Sequence, residues 1–360
     1  MRRTAALIIG GGPAGAAAAI RLARHGTQAL LVERHAAADA LCGGFVSWRT
    51  IDRLAQLGVD PDRLNRDRLT QVTIFAGDRR RDATLPRPAI GVSRRRLDTL
   101  LRDAAARSGA MIETGVTVRS VDGLVAQIAD GAAIGAGALF LATGKHDLRG
   151  LARPAAARGS DPTLGIRVRL APHVALGRAL AGRIELHLFD RGYAGIALQE
   201  DGSANVCMAV HRSRLHAAGG PAELLAQLGT GSPRLGERLA LLAPGEAIDA
   251  IANVPYGWRQ RDGAAGLFRL GDQAGVIPSL AGEGMGIALA SGIAAADAYA
   301  RGGPDAAAGW QRDFARRLAR PMAVAGAVRR IAESRWSGIA VACLPPGLIQ
   351  VMAHATRMTP

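Results

Sequence analysis

Three glycines, Gly10, Gly12 and Gly15, stand in the spacing G-x-G-x-x-G between two segments that leave little choice of local fold. Before them, residues 4–9 are an unbroken apolar run, which suits a strand buried on both faces of a parallel sheet. After them, residues 14–25 are rich in Ala and Leu at helical spacing, and Gly26 sits where a helix C-terminal glycine belongs. Residues 28–33 then form a second buried strand that closes on Glu33, so the opening of the chain reads as a complete βαβ unit. Each residue has a physical task. Gly10 makes the tight turn, Gly12 lets the backbone approach a pyrophosphate, and Gly15 lets helix and strand pack closely. The helix start offers free N–H groups and partial positive charge to phosphates. Glu33, eighteen residues beyond Gly15, can accept hydrogen bonds from adenosine ribose hydroxyls and disfavours a 2′-phosphate. The unit therefore predicts a dinucleotide, either NAD or FAD.

Further along, residues 50–57 read as helix and 71–76 as strand, while the charged, proline-bearing stretch 79–88 reads as a hairpin or loop. Ser93 caps a helix over 94–107, and short strands follow near 111–118, 124–129 and 138–142. From 165 the texture changes to alternating strands at 165–170, 183–189, 193–199 and 203–210, the mark of a mainly antiparallel sheet. A helix is expected over 221–229, a buried strand at 266–271 and an Ala-rich helix from about 283 to 300. Residues 304–357 look helical apart from Leu344-Pro345-Pro346-Gly347.

Composition narrows the function classes. With 360 residues, 49% of them hydrophobic, the chain can bury one large or two intermediate cores, and with 4% aromatics those cores rest on Ala, Leu, Val and Ile. The formal net charge of +15 does not imply nucleic acid. Lys145 is the only lysine, and the runs Arg79-Arg80-Arg81 and Arg94-Arg95-Arg96 have no interleaved stacking residues. A solvated basic face, or attraction to an anionic surface, explains the charge. Cys42, Cys207 and Cys343 are far apart, which excludes a disulfide framework or zinc ribbon and suits a reducing cytoplasm. The apolar start stops too early, at Gly10, for a secretory signal, and no stretch reaches the roughly 18 apolar residues of a spanning helix. No His or Cys spacing makes a metal site.

A second motif decides between the two dinucleotides. Leu270-Gly271-Asp272-Gln273-Ala274-Gly275, followed by Pro278 and Gly282-Glu283-Gly284, resembles the glycine–aspartate motif of FAD-dependent oxidoreductases with the para-hydroxybenzoate-hydroxylase type of fold. The resemblance implies that Asp272 binds the ribityl chain and that the next helix aims its start at the pyrimidine end of the flavin, where reduced flavin carries negative charge. Arg94-x-x-Leu97-Asp98-x-x-Leu101 resembles a third family element, which puts Arg94 near the FAD phosphates. The FAD-binding set this implies is Gly10, Gly12, Pro13, Ala14, Gly15, Glu33, Arg34, Cys42, Gly43, Arg94, Ala142, Thr143, Gly144, Gly271, Asp272, Gly282, Glu283, Gly284, Met285 and Gly286.

The branch within this resemblance is less defined. Ala142-Thr143-Gly144-Lys145-His146 departs from the hydroxylase pattern, whereas Cys42-Gly43-Gly44 and Gly282-Glu283-Gly284 look like the geranylgeranyl reductase branch. The aromatic element of those reductases is reduced here to Tyr193-Ala-Gly-Ile-Ala. Cys42 and Tyr193 are the catalytic candidates, each with a plain alternative reading as a packing residue; Lys145 and His146 read first as a solvated loop, with an acid or a phosphate-binding role as the alternative.

The expected fold class is α/β: a Rossmann-type FAD-binding domain with a parallel sheet, an interleaved, mainly antiparallel β-sheet substrate domain, and a helical C-terminal tail. Residues 1–76, 89–150 and 262–303 are assigned to the FAD domain, 77–88 and 151–261 to the substrate domain, and 304–360 to the tail. The expected function is an FAD oxidoreductase with NAD(P)H as transient donor and a small hydrophobic substrate, isoprenoid, lipid-like or polyketide-like, handled in reductase fashion. The alternatives are an aromatic monooxygenase and an electron-transfer flavoprotein. The tail, which mixes Arg316, Arg317, Arg329, Arg330 and Arg335 with apolar residues, could serve either as a cover or as peripheral contact with the inner face of a membrane.

Overall fold

The structure, a computed structural model, describes residues 1–37 and 39–358. Its first sheet runs Met111–Thr114, Ala29–Glu33, Arg2–Ile9, Ala133–Leu141, Val125–Ile128 and Val118–Asp122, with Leu267–Arg269 pairing the far half of Ala133–Leu141. The strands that carry the glycine loop are parallel, with Ile9 beside Val32 on one side and Leu141 on the other. Their C-terminal ends therefore meet at one edge, where ligands of open α/β sheets sit.

Helix Pro13–Arg24 leaves the glycine loop with proline in its first turn and ends before Gly26 at φ +76°. It lies on helix Gly284–Gly302 at backbone contact, because a Cβ at Gly292 would stand 2.3 Å from the Ala14 carbonyl oxygen. Small side chains replace interdigitation in this layer. The aromatics gather behind it: Phe140 stacks on Phe268 at 4.7 Å, and Trp310 on Phe314 at 5.3 Å.

The second sheet has the order Asp249–Val254, Thr163–Leu170, Ala204–His211, Gly192–Leu198, Arg183–Phe189, Leu69–Ala76, Arg79–Gly91 and Phe45–Val46. It is antiparallel apart from one pair, Arg183–Phe189 with Leu69–Ala76. This corrects two sequence readings. The strand at 71–76, assigned with the FAD domain, is hydrogen-bonded into this second sheet, and 79–88, read as hairpin or loop, lies in strand Arg79–Gly91. Arg79, Arg80 and Arg87 are exposed, whereas Ala83, Leu85 and Ala89 are buried, so the charge masked the alternation of exposed and buried residues over 82–85.

Helices Val174–Leu180, Pro221–Gly231 and Pro233–Leu239 close one face of this sheet over Ile166, Val168, Ile196 and Val206. On the other face Leu69, Val72, Ile74 and Ala89 meet Val341 and Ile349 from the tail, which forms helices Ala306–Ala332, Ser337–Cys343 and Pro346–Ala355. The chain then returns to the first sheet's layer: Arg49 and Arg53 both donate to the Met358 carbonyl, and Arg357 pairs with Glu283 at 3.3 Å.

Candidate active site

One cavity of ≈ 950 Å³ runs from the glycine loop, past Asp272, between the two sheets to the tail helices. At its first end lie Gly10, Gly11, Gly12, Pro13 and Ala14. Gly10 has φ +107°, and a Cβ there would fall 2.4 Å from the Ala142 carbonyl oxygen, so the turn admits only glycine. A Cβ on Gly12 would meet nothing but the Arg94 guanidinium, at 3.2 Å. Arg94 is thus poised over the loop. It is half-buried and held in a two-pronged pair by Asp98 at 3.0 and 2.8 Å; burial works to lower the guanidinium pKa, but Asp98, with Cys42 and Asp272, reverses this and raises it above its ordinary value. Gly15 does not line the cavity. A Cβ there would strike the Gly10 carbonyl at 1.9 Å, so its role is the close packing of helix on loop.

Glu33 accepts from Gly11 N–H at 2.6 Å and from His35 N–H at 3.0 Å, which fixes its carboxylate at the cavity wall beside Arg34. Each oxygen keeps a lone pair for a ribose hydroxyl.

The second motif lies opposite. Gly271 turns at φ +56°, its N–H donating to Ser291 Oγ at 2.8 Å, and Asp272 follows at the cavity wall. Ala142, Thr143 and Gly144 line the same wall, at the end of strand Ala133–Leu141. Gln273 ties the two segments together, donating to the Gly144 carbonyl at 2.9 Å and the His146 carbonyl at 3.0 Å. Arg153 adds bonds to the carbonyls of Asp272 and Lys145.

Lys145 corrects the sequence reading. Instead of projecting from a solvated loop, it lines the cavity with Nζ 3.3 Å from the Asp272 carboxylate, which raises its pKa despite burial. Its signal in the sequence was its solitude, one lysine in a chain whose other basic residues are arginine. His146 also lines the cavity; burial and neighbouring cations lower its pKa.

Glu283 and Gly286 are the other corrections. Neither lines the cavity. The Glu283 carboxylate is fully buried and turned the other way, 3.7 Å from Arg53 and 3.3 Å from Arg357, accepting from Ser47 Oγ at 3.1 Å. Gly286 leaves room for it, since a Cβ there would lie 2.6 Å from Glu283 Oε1. The consequence is useful. The residue before helix Gly284–Gly302 gives it no side-chain cap, and Gly282, Gly284 and Met285 face the cavity with the helix start unclaimed. Helix Pro13–Arg24 likewise has no side-chain cap. Two uncapped helix starts, a guanidinium, an ammonium and two wall carboxylates in one cleft form a donor and acceptor set that fits FAD: pyrophosphate at the first helix, ribityl hydroxyls at Asp272, flavin pyrimidine edge at the second helix.

Beyond Asp272 the cavity turns apolar. Cys42 and Gly43 stand at the transition, and Asn205 holds their loop by donating to the Cys42 carbonyl at 2.8 Å. Cys207 is across from them, its thiol pushed up to about 12 by burial, so it stays protonated and inert. Tyr193 lines the cavity, and its hydroxyl hydrogen-bonds Ser279 Oγ; Tyr256, which the sequence did not single out, reaches the same Ser279 Oγ at 2.5 Å. Burial raises the pKa of both phenols, so both keep their protons. The walls behind them are Val72, Ile74, Ile184, Leu186, Leu188 and Met208 from the second sheet.

Residues 3–147 match the sequence family described as FAD binding domain. Protein FixC of Salmonella typhi is 31% identical over 158 residues, which are 40% of this chain and 37% of that protein. The match thus spans little more than a third of the curated relative. Among solved structures, a flavoprotein/dehydrogenase from Cytophaga hutchinsonii has TM-score 0.77 at 17% identity, covering 99% of this chain and 92% of its own. A probable FAD-dependent monooxygenase from Pseudomonas aeruginosa, PqsL, has TM-score 0.70 at 18% identity, covering 94% and 99%. A geranylgeranyl bacteriochlorophyll reductase-like protein from Thermoplasma acidophilum has TM-score 0.70 at 17% identity, covering 100% and 94%. At these identities the likeness is one of fold.

Proposed function

We propose that this chain, which carries an FAD binding domain on a fold of the para-hydroxybenzoate-hydroxylase type, works as an FAD-dependent oxidoreductase on an apolar substrate, in reductase fashion. The observation that carries this reading is the continuity of the cavity: the cleft that suits FAD opens directly into a chamber walled by Ile74, Leu186, Leu188 and Met208. Such a chamber suits an isoprenoid, lipid-like or polyketide-like molecule and gives an electron carrier no reason to exist.

When bound, FAD supplies hydride chemistry, with NAD(P)H as the proposed donor. The protein's residues do the rest. Gly10 to Ala14 and Arg94 would hold the pyrophosphate, Glu33 the adenosine ribose and Asp272 the ribityl chain, and the start of helix Gly284–Gly302 would face the pyrimidine edge. The apolar walls exclude water. Reducing a carbon–carbon double bond also needs a proton, and Tyr193 and Tyr256 hold theirs against the shared Ser279 hydroxyl at the edge of the chamber.

The test is anaerobic turnover. Oxidation of NAD(P)H coupled to loss of a prenyl-chain double bond, slowed by Tyr193→Phe with Tyr256→Phe, supports the reading. Turnover that requires oxygen and incorporates it from labelled O2 into an aromatic product overturns it in favour of a monooxygenase. A protein that stays colourless after reconstitution with FAD overturns both.

A further inference from the structure

Five of the eight large hydrophobic side chains that stand exposed among the described residues fall within 331–351: Ile331, Trp336, Ile339, Leu348 and Val351. Isolated exposed apolar residues need no explanation, but a concentration in one segment does. The segment is unusual in a second way. From Trp336 to Thr356 the chain holds no Asp, Glu, Lys or Arg, in a protein that is 21% charged. It folds as helices Ser337–Cys343 and Pro346–Ala355, bent by 111° at Leu344-Pro345, and among the described residues no single helix is long and apolar enough to cross a membrane.

Packing explains only the inner faces of these helices. Val341 and Ile349 close on Leu69, Ile74 and Ala89 of the second sheet, while Ile339 and Val351 point outward at 54% and 61% exposure. The borders of the patch are cationic. Exposed Arg335 lies over the Trp336 ring at 4.9 Å, exposed Arg79 runs beside Gly338, and Arg81 holds the end of helix Ser337–Cys343 through the carbonyls of Val341 and Ala342. Ile331 and Leu348, at 56% and 45% exposure, also line the cavity. The mouth of the chamber therefore opens within the patch.

We infer that the bent pair Ser337–Ala355 seats the protein on an anionic lipid surface, monotopically, so that the chamber receives its substrate from the bilayer. The apolar faces of two short helices enter the interface, Trp336 sits at headgroup depth, and Arg79 and Arg335 meet lipid phosphates. The docking stands on the patch alone; entry from the bilayer rests on the reading of the cavity as a substrate chamber.

The experiment is flotation of FAD-loaded protein with vesicles of phosphatidylcholine, with and without phosphatidylglycerol. The protein is expected to float with the anionic vesicles, less so as salt rises. Bromine-labelled lipid should quench tryptophan emission, and Trp336→Phe should remove that quenching while keeping flotation. The double variant Ile339→Gln/Val351→Gln, which alters no cavity-lining residue, should lose vesicle affinity by about tenfold or more and keep its flavin spectrum and melting temperature. Wild-type protein that stays in the aqueous fraction with both vesicle types overturns the inference. So does a lipid-free dimer that the double variant dissociates, because a second copy then covers the patch. Turnover of a short, water-soluble prenyl analogue separates the two readings: flotation without any turnover sinks the proposed reaction and leaves the docking, and turnover without flotation does the reverse.

Discussion

The two ends of the cavity are built by different means. At the FAD end, position is set by backbone: Gly10 must turn at φ +107°, Gly15 lets its helix touch the loop, and Gly292 lets two helices meet with almost nothing between them. At the chamber end, position is set by side chains brought from remote segments: Tyr193 and Tyr256 converge on Ser279, and Leu186, Met208 and Ile74 come from three strands. A glycine constraint is short in sequence and tolerates one residue type. A wall of aliphatic side chains tolerates many, which is what lets one cofactor domain serve different substrates.

The largest effect should come from the one place where the two regimes meet. Glu283 precedes helix Gly284–Gly302, whose start faces the cavity, yet its buried carboxylate is held by Arg53, Ser47 and Arg357, the last from the end of the tail. Burial raises its pKa and the two guanidiniums oppose that. Removing it with Glu283→Ala leaves both cations buried without their anion, a loss on the order of 3–5 kcal/mol. Thermal unfolding should show it, together with release of the tail; an unchanged melting temperature would mean the cluster is wet.

Next comes a pair of glycine variants. Gly15→Ala pushes a methyl group against the Gly10 carbonyl, and overpacking of this kind costs about 1–3 kcal/mol. Gly12→Ala has an ordinary backbone angle, φ −75°, and meets only Arg94, so the fold should survive while FAD affinity falls. Titration of apoprotein with FAD, beside thermal melts, separates the outcomes. If both variants lose stability alike, Gly12 is a packing residue and not part of the phosphate cradle.

This contrast also explains what could be read from the sequence. Gly10, Gly12, Glu33, Gly271 and Asp272 lie in two short stretches whose spacing carries their geometry, and all five line the cavity. Lys145 could not be read in the same way, because its partner Asp272 is remote in sequence and is brought beside it by the parallel pairing of Ala133–Leu141 with Leu267–Arg269. Tyr256 and Ser279 were hidden for the same reason. Glu283 misled in the opposite sense: it belongs to a motif, but Arg357 redirects its side chain, and no local pattern announces that.

Within the second sheet the comparison can be drawn on one strand pair. Ile196 is fully buried under the helices, and Ile196→Ala should cost about 2–5 kcal/mol, whereas Leu186 lines the chamber and Leu186→Ala should stay below about 2 kcal/mol while shifting substrate preference. Equal costs would mean that the chamber is closed core.

The smallest effect is electrostatic and has a sign. His211 lies between Glu333, 2.9 Å from Nε2, and Asp161, 3.2 Å from Nδ1, with Arg329 also at 3.2 Å from Nε2. The hydrogen bond to Glu333 is the largest influence and, against burial and Arg329, raises the imidazole pKa above its ordinary 6.5. A pKa raised on folding stabilises the fold fully below the unfolded value, and this stabilisation disappears as pH rises through the folded value. The melting-temperature advantage of the wild type over His211→Gln should therefore be greatest below pH 6.5 and shrink above it. The same Glu333 also holds Arg329, whose guanidinium lies 4.7 Å over the Tyr256 ring. An advantage that instead grows with pH would show that His211 is neutral in the fold, with Arg329 alone neutralising Glu333.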